Sequence, residues 1–357
     1  MQAIDSSILG LIEALIEGEK LTESEWNLLV TAELANPSRA IAFDLNQNNC
    51  RLRLEARSRL LNSAYDEIKL HLQTLGIAQE ESRKLTLLWY LWLPLAIQIA
   101  SKRQNLDRTL IQGILGGQGV GKSTLTQLLK LLLTHLDYQV ATISIDDLYL
   151  TYDERQKLQR VEPALIWRGP PGTHDVNLGI AVLDQCLELE RTEPILLPRF
   201  DKSAYDGSGD RTLPKPINSV DIVLFEGWMI GVQPISESAF EAAPKPISTP
   251  EQIQFAKNCN QRLQAYLPLW SRLDSLLVIH PQDYRLSKQW RLEAEQKMIS
   301  TGKTGMSDRE IEQFVDYFWQ ALHPELFISP LVKRPDLVDL VIEINSDRHI
   351  NKIYKPN

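Results

Sequence analysis

Cysteine is scarce in this 357-residue chain: Cys50, Cys186 and Cys259 are far apart and odd in number. That excludes a disulfide framework and offers no zinc-ligand spacing, so a reducing, cytoplasmic setting is expected. Positive charge is not in excess either. The formal net charge is -8, which argues against broad binding along a nucleic-acid backbone, though not against a local basic pocket. Long apolar runs are absent as well. Leu85–Ala100 is shorter than the ~20 residues of a spanning helix and contains Pro94 and Gln98. It reads as a buried helix, kinked or ended near Pro94, in a soluble protein without membrane contact. The N-terminus carries Asp5 and no arginine, unlike a secretory or transit peptide.

What is present is an ordinary globular composition, 43% hydrophobic and 24% charged. Two regions differ in pattern. Residues 1–105 read as helical throughout, with no strand alternation, repeat or catalytic motif. Thr22 and Glu25 fit a capping box ahead of Trp26, Leu28, Leu29 and Val30, and Arg51–Leu75 is amphipathic without glycine or proline. This region is expected to be a helical packing appendage, with a regulatory or partner-binding module as the alternative. From residue 106 onward, short apolar runs alternate with helical stretches. The runs are Leu110–Leu115, Val140–Ile145, Ile195–Pro198, Ile222–Phe225, Leu276–Ile279 and Leu337–Ile344. They predict an α/β domain whose parallel sheet is covered by helices on both faces.

The first run leads into Gly116, Gly117, Gln118, Gly119, Val120, Gly121, Lys122, Ser123 and Thr124, which match G-x-x-x-x-G-K-[ST]. The glycines let the backbone wrap an anion with its N–H groups turned inward. Leu125, Leu128, Leu129, Leu132 and Leu136 then recur at helical spacing, supplying the helix whose positive end faces phosphates. Lys122 can reach the β- and γ-phosphates, and the Ser123 hydroxyl can take Mg²⁺. The next strand ends in Asp146 and Asp147, where a kinase needs a carboxylate for its acceptor hydroxyl; a helix cap is the plainer role. A later strand, Asp221–Phe225, runs into Glu226, in the manner of a Walker B acid linked to Mg²⁺. No N-K-x-D base-recognition motif appears, which disfavours a GTPase.

The order of motifs is similar to that of the phosphoribulokinase, uridine kinase and pantothenate kinase superfamily. Closer still, Ser144–Thr151, Trp167–Asp175, Leu197–Arg211, Leu224–Gly231, and Trp290–Glu295 followed by Gly302–Asp308 together resemble the D-glycerate 3-kinase family of plants and cyanobacteria. The resemblance spans roughly residues 108–346. It implies a P-loop kinase fold with a lid around 281–325, ATP and Mg²⁺, and phosphorylation of D-glycerate to 3-phospho-D-glycerate. A place in photorespiration and a bacterial, cyanobacterial-type source follow from the same likeness. Asp146 matches the superfamily's catalytic carboxylate in its D-x-[F/L]-Y setting with Tyr149, and Glu226 matches the Mg²⁺-linked acid.

The acceptor's carboxylate needs cations and its hydroxyls need polar groups. Lys202 and Arg211, in a charged loop with Arg199, Asp201, Tyr205 and Asp210, are the expected cations. His174 could contact substrate or be a surface loop histidine. Asp175 could contact substrate or cap the helix from Val176. Arg285, Lys288 and Arg291 share a helix face. Arg291, with Glu295 one turn on, is expected to stabilise phosphate, and Lys288 and Lys303 are weaker candidates. Two other readings stay open. One is a superfamily kinase acting on another small hydroxyl substrate. The other is a nucleotide-gated scaffold that phosphorylates no acceptor.

Overall fold

The structure, a computed structural model, describes residues 5–75, 80–188, 191–300 and 306–357. The described strands are β1 (Leu110–Gly116), β2 (Val140–Ser144), β3 (Ile195–Asp201), β4 (Asp210–Ile217), β5 (Ile222–Gly227), β6 (Ser275–Pro281), β7 (Leu340–Ile344) and β8 (Ile350–Tyr354). The N-terminal helices are α1 (Ser6–Ile16), α2 (Glu23–Leu34), α3 (Pro37–Ala42), α4 (Cys50–Thr74), α5 (Glu81–Leu87) and α6 (Leu93–Gln104). They are followed by α7 (Lys122–Thr134), α8 (Tyr152–Val161), α9 (Val176–Leu187), α10 (Pro250–Arg262), α11 (Leu267–Trp270), α12 (Leu286–Ser300), α13 (Asp308–Ala321) and α14 (Pro324–Leu331).

Local chemistry sets many of these boundaries. Thr22 accepts from the Glu25 N–H while the Glu25 carboxylate takes the Thr22 N–H, so the expected capping box starts α2. Asn36 caps α3, with Pro37 in the first turn, where its missing N–H costs nothing. The Leu85–Ala100 run differs from expectation. Pro94 neither ends nor interrupts the helix, which continues from α5 into α6 through a π-helical turn at Leu88–Trp92. The wider turn spreads the backbone where the proline ring would otherwise meet the carbonyl four residues earlier. The Glu81–Gln104 segment is long and apolar enough to cross a membrane by length and composition, and 67% of its most apolar window is buried inside the fold.

Six strands form the main sheet in the order β2-β5-β1-β6-β7-β8. The first five run parallel, and β8 closes one edge antiparallel to β7. Alternate residues of each strand face opposite sides. Leu110, Ile114, Leu224 and Leu277 pack under the α7 leucines and the N-terminal helices. Ile111, Leu115, Phe225 and Val278 pack with α9, α11 and α14. The expected two-sided parallel sheet is therefore present. One strand departs from it: Ile195–Pro198 begins β3, which among the described residues pairs only with β4 in a separate antiparallel ribbon.

The N-terminal helices are joined to the sheet by polar contacts as well as by the shared core. Lys102 Nζ lies 2.6 Å from Ser275 Oγ and 2.7 Å from Asp339 Oδ1. Arg103 donates to the Asp221 carbonyl and pairs with its carboxylate at 3.2 Å. All three cysteines are free and buried, and burial pushes their thiols up, Cys50 to about 11 and Cys186 and Cys259 to about 12. They are inert packing groups.

Candidate active site

The parallel strands bring their carboxyl ends to one edge, where β1 turns into α7 through Gly117–Gly121. Gly121 caps α7 at φ 93° and Gly119 adopts φ 74°, both in the left-handed region that favours glycine. Gly119 is also under steric pressure, since a Cβ there would stand 2.8 Å from Trp290 Cβ. Lys122 folds back to donate to the Gly117 carbonyl at 2.8 Å. Burial depresses the Lys122 ammonium below its usual value, while the carboxylates of Glu226 and Asp146 oppose the shift. A phosphate placed in this loop would strengthen that opposition.

Two groups at the strand ends supply hard oxygen donors. Glu226, at the end of β5, places Oε1 3.5 Å from the Ser123 hydroxyl. A carboxylate beside a hydroxyl at the phosphate end of the loop suits Mg²⁺, which takes oxygen ligands together with nucleotide phosphates. Asp146 lies in the short 3-10 turn, Ile145–Leu148, that directly follows β2. Its carboxylate receives Lys202 Nζ at 2.6 Å. Burial would raise its pKa, but Lys202, the Tyr149 hydroxyl and His174 outweigh burial and hold it below the ordinary carboxylate range. Asp147 faces away from this pair. It accepts from the Ser144 N–H at 3.0 Å and pairs with Arg199 at 3.1 Å, in the capping role expected as its plainer function.

Around Asp146 lies a wall of aromatic and polar groups. Tyr149 stacks on His174 with ring centroids 4.7 Å apart and meets the Phe200 edge at 5.1 Å. His174 is buried, and its Nδ1 lies 2.8 Å from the Tyr266 hydroxyl. The backbone N–H of Gly172 donates to that hydroxyl oxygen at 3.0 Å. In the tautomer that accepts the Tyr266 hydrogen at Nδ1, the His174 ring proton sits on Nε2. His174 Nε2 is buried and has no partner among the described residues. Burial lowers the His174 pKa to about 3, so the ring is neutral at physiological pH.

Three curated proteins align with the chain. The chloroplastic D-glycerate 3-kinase of Arabidopsis thaliana is 34% identical over 253 residues, 67% of this chain and 53% of that protein. The chain thus aligns with about half the length of this relative. An uncharacterized kinase of Schizosaccharomyces pombe is 33% identical, covering 59% of this chain and 79% of its own length. A probable ATP-dependent kinase of Saccharomyces cerevisiae is 31% identical, covering 66% and 84%. The chain belongs to this family of P-loop kinases. A solved D-glycerate 3-kinase from Cryptococcus neoformans superposes with a TM-score of 0.65 at 29% identity, over 74% of this chain and 99% of that one. No family model matches.

Within this P-loop kinase the remaining expected residues fall in several places. Arg211 pairs with Asp175 at 2.9 Å and donates to the Tyr149 carbonyl. Asp175 caps α9 through the Leu178 N–H at 2.9 Å, the plainer of its two expected roles. The charged face of α12 divides. Arg285 is exposed beside Asp283, and Lys288 ties α12 to α13 through Glu312 and Asp316. Arg291 pairs with the buried Glu295 at 2.7 Å, the i,i+4 partner expected, and its Nε has no partner among the described residues. Glu295 also accepts the Met306 N–H at 2.9 Å, joining α12 to the start of α13. Lys303 lies outside the described residues.

Sequence reasoning gave no site role to four residues that shape it. Tyr266 fixes His174 from 92 positions away. Arg155 and Arg168 hold the carbonyls of Gly207, Ser208 and Gly209, and so clamp the loop that presents Lys202. Trp290 supports the phosphate loop by its contact with Gly119. Arg168 and Trp290 fall in segments that carry the family resemblance, Trp167–Asp175 and Trp290–Glu295; the parts played by Tyr266 and Arg155 depend on tertiary contacts alone.

Proposed function

We propose that this kinase transfers the γ-phosphoryl group of ATP to the primary hydroxyl of D-glycerate, giving 3-phospho-D-glycerate and ADP. The observation that carries the reading is Asp146. It is a carboxylate kept ionised by Lys202, at the end of the strand next to β5, within electrostatic reach of Lys122 in the phosphate loop. The Arabidopsis and Cryptococcus relatives, both D-glycerate 3-kinases by name, support the choice of acceptor.

In this reading Asp146 accepts the proton of the attacking hydroxyl. The hydroxyl oxygen bonds to the γ-phosphorus as the bond to the ADP oxygen breaks. Lys122 steadies the phosphoryl charge, and Arg291, positioned by Glu295, adds a second cation from the lid around 281–325. Ser123 and Glu226 would hold Mg²⁺, which supplies charge neutralisation on the nucleotide phosphates. Lys202 and the His174 Nε2–H are the donors for glycerate oxygens. Arg211 and Arg199, already paired with carboxylates, position Tyr149 and β2 instead.

The test is coupled ADP release with D-glycerate, L-glycerate, uridine, pantothenate and ribulose 5-phosphate. Turnover dependent on D-glycerate is expected. Its absence, with turnover on another member of the panel or none, would overturn the acceptor assignment.

A further inference from the structure

The N-terminal helices line an open pocket of about 220 Å³, bordered by Asp44, Arg53, Arg57, Gln98, Ser101 and Lys102 among others. It lies between α4, α6 and the turn after α3, on the side of α6 whose last turn bonds to the sheet through Lys102. Three of these side chains are cationic and one is acidic. The acid is already engaged, since Asp44 pairs with Lys355. Lys102 is partnered by Asp339.

The two arginines differ. Arg57 is 1% exposed and gives NH1 and NH2 to the buried Glu33, a carboxylate it shares with Arg39. Its Nε–H is buried without an acceptor among the described residues. Arg53, one helical turn earlier on α4, reaches only Ser101 Oγ at 3.4 Å and pairs with no carboxylate among the described residues. A buried guanidinium donor without an acceptor is costly, and an unpaired guanidinium beside it adds to the positive potential. An oxyanion accepting from both would satisfy both, because charge-assisted bonds to guanidinium are the strong ones. Gln98, Ser101 and Asn105 add neutral polar groups that suit a hydroxylated ligand.

We propose that this pocket is a second anion site, distinct from the phosphate loop. It takes the phosphate or carboxylate group of a small metabolite on Arg53 and Arg57. The site gives the helical region a ligand-binding role that the kinase motifs do not supply.

The test is binding, so it does not depend on which acceptor the enzyme phosphorylates. Full-length protein saturated with ADP and Mg²⁺, which occupies the phosphate loop, is titrated calorimetrically with inorganic phosphate and, separately, with malonate at constant ionic strength. The expected result is one binding event for at least one probe, weakened about tenfold or more by Arg53→Gln and unchanged by Lys202→Gln. Which probe binds separates a phosphate ligand from a carboxylate one. Ser101→Glu, which puts a carboxylate among the same cations, should abolish the event and serves if Arg53→Gln fails to fold. No binding of either probe, binding unaffected by both pocket variants, or binding lost with Lys202→Gln instead would overturn the proposal.

Discussion

In the proposed mechanism Asp146 is the proton acceptor, and it can serve because the opposing forces on its carboxylate do not cancel. Burial alone would favour the protonated acid, which could not take a proton, yet Lys202 at 2.6 Å reverses the balance. Asp146→Asn should therefore leave nucleotide affinity nearly unchanged while kcat falls by roughly 10²–10⁴, the range for lost base catalysis. Steady-state kinetics beside an ATP-analogue titration would check this, and near-normal kcat would remove Asp146 from the role. The sign of the pH effect follows from the same balance. In the wild type, the depressed pKa puts the acid limb of kcat/KM due to Asp146 below the ordinary aspartate value of about 4. Lys202→Met removes the lowering charge and leaves desolvation, so the limb should move to higher pH. His174 should contribute no limb between about pH 5 and 8, because it stays neutral there. If its Nε2–H donates to the acceptor, His174→Gln should retain more activity than His174→Phe, with the difference mainly in KM for glycerate.

At the scale of elements, the phosphate loop was legible because all its chemistry lies in nine consecutive residues between a strand and a helix. The capping box of α2 was legible for the same reason. Ile195–Pro198 misled because a four-residue apolar run looks alike in a central parallel strand and in a short ribbon. The β4 strand, Asp210–Ile217, is exposed along most of its length and contains two prolines, so it gave no apolar signal. The partner of Arg211 was not legible, because a charged residue near a site looks the same in sequence whatever it meets; in the structure it meets Asp175. The contact between α12 and the phosphate loop was invisible for want of any local pattern, and it yields a prediction. Gly119→Ala combines a left-handed φ, costing about 1 kcal/mol or more, with a Cβ 2.8 Å from Trp290. The loop and α12 must then shift apart, so nucleotide affinity should drop at least several-fold while the melting temperature changes little. Unchanged nucleotide affinity would mean that the Trp290 contact does not shape the loop.

At the scale of the whole molecule, the question is whether residues 1–105 are an appendage to the kinase or part of its fold. The core under one face of the sheet is continuous from Ile8 and Ile12 through Leu54, Leu61 and Trp89 to Leu110, Leu128 and Leu224. Covering that face excludes water from a large apolar area, worth on the order of 25 cal/mol per Å². Lys102 and Arg103 fasten the same helices to the strand ends at Asp339 and Asp221. A removable regulatory module would leave a stable kinase behind. A helical layer that completes the core would not, because cutting it away bares Ala96, Ile99 and the leucines of α7 that face it. Expression of residues 106–357 alone should therefore give aggregated or molten material, and calorimetry of the full chain should show a single cooperative unfolding transition. A folded, active 106–357 fragment, or two separate transitions, would show that the helices are a dispensable domain. The anion pocket between α4 and α6 could then influence catalysis only through linkage between two domains. In a single cooperative core, whatever binds Arg53 and Arg57 stabilises the sheet that carries the phosphate loop.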